Sequence, residues 1–396
     1  MSKKVILAFS GGLDTSYCVK YLQNELGLEV HAVLVNTGGF DKNELLAIKT
    51  KAEELGATSF KALNRVEEYY DKVIKYLIFG NVLKNNTYPL SVSAERTVQA
   101  VAIAEYAKES GADYIAHGST GAGNDQVRFD LVFQTLAPNL EIITPIRDLQ
   151  LSREAEIDYL KSCGVEASWE KSKYSVNKGL WGTSVGGVET LTSNLPLPEE
   201  AWPSQLLATD NSKISIIFKE GELAGINGKA MSATDTIIAL NELGASYGIG
   251  RDIHVGDTII GIKGRVGFEA PGALMSIKAH HALEKHTLSK WQLHWKEMLS
   301  NSYGMFLHEA QFLDPVMRDM EAFLESSQKN VTGTVVLSLA PYRFNVDGIE
   351  SPFDLMNNAF GAYGEMNKAW SGNDVKGFTK IMANQLRLFN QLAEKK

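Results

Sequence analysis

The chain has 396 residues, 44% hydrophobic and 22% charged, with a formal net charge of −8. That length exceeds a single typical core, so two domains and an appendage are expected. The acidic balance argues against broad nucleic-acid binding but allows a local basic pocket, two cysteines are too few for a disulfide framework or a thiolate metal site, and no apolar run approaches transmembrane length.

The first element is Val5–Phe9, a short apolar run that reads as a buried strand. Met1-Ser2-Lys3-Lys4 leads straight into it, which is too short for a signal sequence, so a cytoplasmic location is expected. Ser10-Gly11-Gly12-Leu13-Asp14-Thr15-Ser16 follows, and helical spacing begins near Asp14. Two glycines let the backbone turn tightly, and open N–H groups at a helix N-terminus make an anion site. Ser10, Thr15 and Ser16 add hydroxyl donors, so the stretch reads as a phosphate cradle. The plain alternative is a glycine turn with Asp14 as a helix cap. A Walker loop would need a Lys that is absent here, and Gly-x-Gly-x-x-Gly is absent too.

Further candidate strands are Glu29–Val35, Thr58–Ala62, Tyr114–His117 and Glu141–Pro145. Helical patterns fall between them at Glu44–Leu55, Arg65–Phe79, Ala94–Glu109 and Arg153–Ser162, the last capped by Ser152. This alternation predicts an α/β fold with a doubly wound, mostly parallel sheet. Ligands in such sheets sit beyond the carboxyl ends of the strands, which places Ser10–Ser16, Asn36–Gly39 and Gly118–Asp125 on one rim.

The rhythm changes near Trp169. Ile214–Phe218, Gly221–Asn227, Lys229–Met231 and Thr258–Lys263 read as strands, and Ser232–Gly244 as a capped helix. A helical region over Ala273–Ser327 is expected to break near Tyr303-Gly304. Thr332–Leu339 and Tyr342–Val346 read as a hairpin, and Val375–Glu394 as an amphipathic helix after a linker over Gly361–Asp374. Such a helix packs on a partner subunit or on its own domain. The domains expected are 1–168, 169–360 and 361–396.

The second informative stretch is Gly118-Ser119-Thr120-Gly121-Ala122-Gly123-Asn124-Asp125-Gln126-Val127-Arg128-Phe129. Its glycines allow close approach to a ligand after a strand. Asp125 can hold an ammonium and Arg128 can clamp a carboxylate through two parallel hydrogen bonds. A helix cap with a surface ion pair is the plain alternative, but it leaves the glycines unexplained.

Ser-Gly-Gly-x-Asp-Thr-Ser resembles the PP-loop of the ATP pyrophosphatases. Together with the Asn-Asp-Gln-Val-Arg-Phe stretch, Tyr88 with Ser91-Val92-Ser93, Tyr174-Ser175, Ser184, the run at 261–265 and Glu269-Ala270-Pro271, it resembles the argininosuccinate synthase family. The resemblance implies a PP-loop domain like the adenine nucleotide alpha hydrolases, a second α+β synthetase domain, and a C-terminal helix used in a homotetramer. It implies an AMP-forming ligase that joins citrulline to aspartate in arginine biosynthesis, with ATP and Mg²⁺. By position, ATP would meet Ala8, Phe9, Ser10, Gly11, Gly12, Leu13, Asp14, Thr15, Ser16, Val35 and Gly118. Aspartate would meet Thr120, Asn124 and Asp125, and citrulline would meet Tyr88, Ser93, Asn124, Arg128, Ser175 and Ser184. Ser10 and Asp14 are the catalytic candidates. No protein metal site is expected. The rivals are another AMP-forming ligase of the superfamily and a catalytically altered nucleotide-binding scaffold.

The chain departs from that pattern at Gly121-Ala122-Gly123, where the family has Gly-Lys-Gly. It also departs at Gly256 and Phe268, where the family carries a Glu and a Tyr of the citrulline site. Losing a carboxylate and a hydroxyl beside an α-ammonium costs about 2–5 kcal/mol in a closed pocket. An N-acylated citrulline, with its α-nitrogen uncharged and enlarged, is one expectation. The other is plain citrulline, with Asp252 or Asp257 taking over the carboxylate role. Lys263, Arg265 and Lys278 are read as surface cations, His280, His281 and His286 as no zinc site, and Trp291 and Trp295 as helix packing.

Overall fold

The computed structural model describes residues 2–166, 173–356, 363–365 and 369–395. Five parallel strands, β1 (Lys4–Ala8), β2 (Glu29–Asn36), β3 (Ser59–Asn64), β4 (Tyr114–Ala116) and β5 (Glu141–Ile143), form a sheet in the order β3-β2-β1-β4-β5. Side chains alternate across it, so β1 sends Val5 and Leu7 to one face and Ile6 to the other. Helices α1 (Leu13–Asn24) and α2 (Lys42–Glu54) cover the Val5 face. The next elements are α3 (Val66–Tyr69), a π turn over Tyr70–Ile74, α4 (Lys75–Phe79) and α5 (Ser91–Glu109). They are followed by α6 (Asp125–Leu136), α7 (Pro145–Asp148) and α8 (Arg153–Ser162). Later residues of α5 and α6 cover the Ile6 face, while α8 joins α1 on the Val5 face.

The remaining strands form two antiparallel sheets. One contains β6 (Ser175–Gly179), β7 (Gly182–Gly186), β11 (Arg251–Asp257) and β12 (Lys263–Glu269), in the order β11-β12-β7-β6. The other contains β8 (Ser212–Lys219), β9 (Glu222–Ile226), β10 (Lys229–Ala230), β13 (Gly333–Ala340) and β14 (Arg343–Glu350), in the order β10-β9-β8-β13-β14. Helices α9 (Ala233–Ser246), α10 (Pro271–Thr287), α11 (Lys290–His308) and α12 (Pro315–Ser327) complete this region. Tyr69, Ile74, Leu77 and Phe79 bury themselves in its core rather than against the first sheet. The segment over 66–94 therefore belongs by packing to the second core, although it lies inside the first predicted domain.

The chain divides into two units at Pro352. The second unit contains α13 (Gly372–Ala393), opened by a capping box in which Ser371 and Asp374 exchange hydrogen bonds.

Two expected elements change. Thr258–Lys263 is the turn between β11 and β12, closed by the Thr258 N–H to the Ile262 carbonyl at 2.8 Å. Its β-branched residues mimic a strand, yet Ile260 and Ile262 are exposed. Helix α11 runs unbroken through Tyr303-Gly304. Gly304 there is a contact, since a Cβ would lie 2.6 Å from Val82 Cγ1. Strands β6, β7 and β11, and β12 beyond Lys263, have no counterpart among the expected strands, because polar and glycine-bearing runs carry little periodicity. The change of rhythm near Trp169, the 168/169 boundary and part of the 361–374 linker lie outside the described residues.

Candidate active site

Strand β1 delivers Phe9 and Ser10 into a turn in which Gly11 takes φ +77°, a conformation that strains other residues. Gly12 caps α1 with extended backbone and has no side chain to satisfy the first turn. The first-turn N–H groups of α1 therefore face outward. Gly118 presses against the same turn, where a Cβ would meet Asp14 C and Thr15 N at 3.3 Å. The Ser10 and Thr15 hydroxyls lie 3.4 Å apart at the mouth. Ser16 points inward instead and donates to the Gly12 carbonyl at 2.7 Å, so its hydroxyl is a structural tie rather than a free donor.

A cavity of about 1000 Å³ opens from this turn. Of the expected ATP residues, Ala8, Phe9, Ser10, Gly12, Leu13, Asp14, Thr15, Val35 and Gly118 line it. Gly11 and Ser16 do not. The Gly11 carbonyl instead accepts from Lys51 Nζ at 2.8 Å. Thr120, Asn124 and Asp125, expected for aspartate, line the same cavity, as do Arg128 and Ser175 of the citrulline set. Tyr88, Ser93 and Ser184 stand behind it, each under one-tenth exposed.

Asp125 and Arg128 face each other rather than open space. Arg128 Nη1 donates to Asp125 Oδ1 at 2.9 Å, and Arg96 Nε donates to Oδ2 at 3.0 Å. Burial pushes the Asp125 carboxyl up, but Arg96 and Arg128 outweigh it and hold the group below its usual range. Arg128 also donates to Ser93 Oγ at 3.0 Å and to the His308 carbonyl at 3.1 Å. His308, lowered to about 3 by burial and then by Arg128, stays neutral. Its Nε2 donates to the Asp257 carbonyl at 3.2 Å. The Tyr88 hydroxyl accepts from Val92 N at 3.0 Å and so helps cap α5. Asn124 Oδ1 accepts from Ile259 N at 2.8 Å, tying the β11–β12 turn to this rim.

Several cavity residues were not anticipated. Glu95 is 3% exposed and accepts from Thr37 and Gln99, each at 2.8 Å. Burial raises its carboxyl despite Arg96. His117, which the sequence offers as either an ATP-site residue or a structural one at a strand end, also lines the cavity, and its Nε2 pairs with Asp130 at 2.8 Å. Helical spacing from Ser91 and Ser93 was the available signal for Glu95 and Arg96, which lie one turn further along α5.

Gly256 does not leave an open volume. A Cβ there would lie 2.5 Å from His254 Nε2, so the imidazole fills the space beside it. The His254 ring stacks on Tyr88 at 5.0 Å and 24°, and Tyr88 tilts on Phe268 at 5.3 Å. Both candidate substitute carboxylates, Asp252 and Asp257, lie on β11. Asp257 pairs with Lys263 at 2.7 Å, and Asp252 accepts from its neighbour Ile253 N. Among the other residues, Arg265 binds three carbonyls, at Glu189, Thr192 and Leu195, and Lys278 lies over Phe344. His280 bonds Asn81 and Gln328 in the core. Trp291 and Trp295 are exposed, contrary to the packing expected of them, because the buried stripe of α11 runs through Lys296, Ser300 and Tyr303.

Residues 4–166 match the arginosuccinate synthase N-terminal HUP domain, and residues 174–389 match the arginosuccinate synthase C-terminal domain. The chain belongs to the argininosuccinate synthase family. Curated argininosuccinate synthases resemble it over their full length. One from Dictyoglomus turgidum is 38% identical, covering 98% of this chain and 97% of its own. One from Methanocaldococcus jannaschii is 36% identical over all of both chains. One from Xanthomonas campestris is 37% identical over 99% of each. The parallel sheet falls within the residues matched to the N-terminal HUP domain, and the two antiparallel sheets within those matched to the C-terminal domain.

Proposed function

We propose that the chain is an AMP-forming ligase that joins a citrulline-type ureido compound to aspartate at the expense of ATP. The observation that carries this reading is the uncapped first turn of α1, wedged by Gly118, opening on the same cavity as Asn124, Asp125 and Arg128. The ureido oxygen attacks the α-phosphorus, the bond to the β-phosphate oxygen breaks, and pyrophosphate leaves. The aspartate amine then adds to the activated carbon, which expels AMP together with the former ureido oxygen. A ureido carbon is a poor electrophile until its oxygen becomes part of a good leaving group.

This chain contributes positioning and charge. The α1 amides with Ser10 and Thr15 grip the phosphate tail, and Thr120, Asn124 and Asp125 hold aspartate. Arg128, held rigid by Ser93 and His308, orients the ureido substrate with Tyr88, Ser175 and Ser184. The amine must shed a proton before it attacks, and Asp14 or a phosphate oxygen takes it.

Mg²⁺ would neutralise the triphosphate. Among the described residues no group of three or more His, Cys, Asp or Glu side chains is placed to hold a metal, so phosphate oxygens would carry the ion. A homotetramer is part of the same reading. Its support is α13, whose Phe378, Ile381, Met382, Leu386 and Phe389 are exposed along one face. No helix among the described residues is long and apolar enough to cross a membrane, which accords with a cytoplasmic enzyme.

The test is a reaction with ureido-¹⁸O substrate. AMP carrying the label, with pyrophosphate released only when the ureido compound is present, is the expected result. Formation of ADP overturns the reading, unlabelled AMP leaves another AMP-forming ligase, and no turnover of ATP with any ureido compound leaves a scaffold role.

A further inference from the structure

Resting on that ligation, we propose that His254 reads the α-nitrogen end of the ureido substrate and selects one whose α-nitrogen is an uncharged acyl amide. The ureido oxygen must reach the phosphates at α1, so the α-carbon lies at the far end of the extended side chain, on the order of 5 Å away. The wall behind Arg128 and Ser93 is made by Tyr88, His308 and His254.

His254 is 6% exposed, and its buried Nδ1 has no hydrogen-bond partner. A buried polar atom left unpaired is costly unless a ligand satisfies it. Burial, and then Lys84, lower its pKa, so the ring is neutral near pH 7. A neutral imidazole offers one donor and one acceptor. That set matches the N–H and C=O of an amide, whereas an ammonium offers three donors and a charge.

The charges around this end point the same way. Lys84 and Arg128 both lower His308, placing two cations about this wall. Asp125 is committed to Arg96 and Arg128. Asp257 projects from the opposite face of β11 to Gly256 and pairs with Lys263. Asp252 shares the His254 face two residues away, roughly 7 Å along the strand, where it is exposed and partly offsets the lowering of the imidazole. Glu309 is exposed and acts on Lys84. Asp252, which acts on His254, and Glu309, which acts on Lys84, both lie exposed to water, so neither offers a buried partner for an ammonium. Strand β11 is a sheet edge bordered by Asn85, whose Nδ2 donates to the Val255 carbonyl at 3.1 Å. Gly256 and His254 form a set, because any side chain at 256 would displace the imidazole.

The experiment compares kcat/KM for citrulline, N-acetylcitrulline and N-succinylcitrulline, read as pyrophosphate release with ATP and aspartate. The wild-type protein is expected to prefer at least one acyl compound by tenfold or more. His254→Gln is expected to cut that ratio about tenfold with KM for ATP unchanged. His254→Ala combined with Gly256→Glu is expected to shift the preference toward free citrulline. Equal or better use of free citrulline by the wild type, or an unchanged ratio in His254→Gln, overturns this inference alone. If no compound releases pyrophosphate, the ligation reading falls and this inference falls with it.

Discussion

Arg128 and Ser93 meet at 3.0 Å, joining the first turn of α6 to the first turn of α5. The same guanidinium reaches Asp125 and the His308 carbonyl, so one side chain ties α5, α6 and α11 together. A Lys carries a single point of charge and cannot reproduce that fork. Arg128→Lys is expected to lower kcat/KM for the ureido substrate about 100-fold. Asp125 keeps Arg96, so KM for aspartate should move much less. Initial-rate measurements varying each substrate in turn check the split.

Gly118 is the wedge against the first turn of α1. In Gly118→Ala the new methyl group presses on Asp14 and Thr15 at 3.3 Å and shifts the first amides of α1. The expected outcome is a KM for ATP raised about tenfold or more, with the melting temperature nearly unchanged. Isothermal titration with a non-hydrolysable ATP analogue would register the same loss.

Glu156, 4% exposed beneath the cradle, has its pKa raised to about 8 by burial and then by Asp14. A raised acid binds its proton more tightly in the folded state than in the unfolded chain. Its contribution to stability is therefore fully present below about pH 4.5 and is lost as pH climbs toward 8. Glu156→Gln removes that loss, so the variant should melt higher than wild type at pH 8, by on the order of 2 °C. The gap should close by pH 5. Thermal scans across that range decide it.

Phe378→Asp with Leu386→Asp places two charges on the apolar face of α13. Light scattering behind size exclusion is expected to show a species smaller than the wild-type assembly. An unchanged mass would remove α13 from the interface.

The parallel sheet was legible because Val5–Phe9 and its successors alternate with helical patterns of ordinary length, and each strand lies within a few residues of its expected span. The PP-loop was legible because the work of Gly11 and Gly12 is local. The β11–β12 hairpin was not, since Ile259, Ile260 and Ile262 look like a strand while the actual strands contain Gly256, Gly264 and Gly267. His254 escaped notice for a different reason: its meaning comes from Tyr88, about 170 residues away, and from an absent side chain two positions on. The mutual pairing of Asp125 and Arg128 was only the plain alternative to ligand contacts in the sequence, and the contributions of Arg96 and His308 are tertiary and leave no trace in the local pattern.

The path of residues 66–94 has a practical consequence. Tyr69, Ile74, Leu77 and Phe79 lie in the core built by the later strands and helices, yet they connect β3 to α5 of the first sheet. A fragment ending after α8 would turn these aromatic and aliphatic side chains out into water and would precipitate rather than bind nucleotide. Anyone wishing to isolate the ATP-gripping half must first excise that excursion or redesign its apolar face.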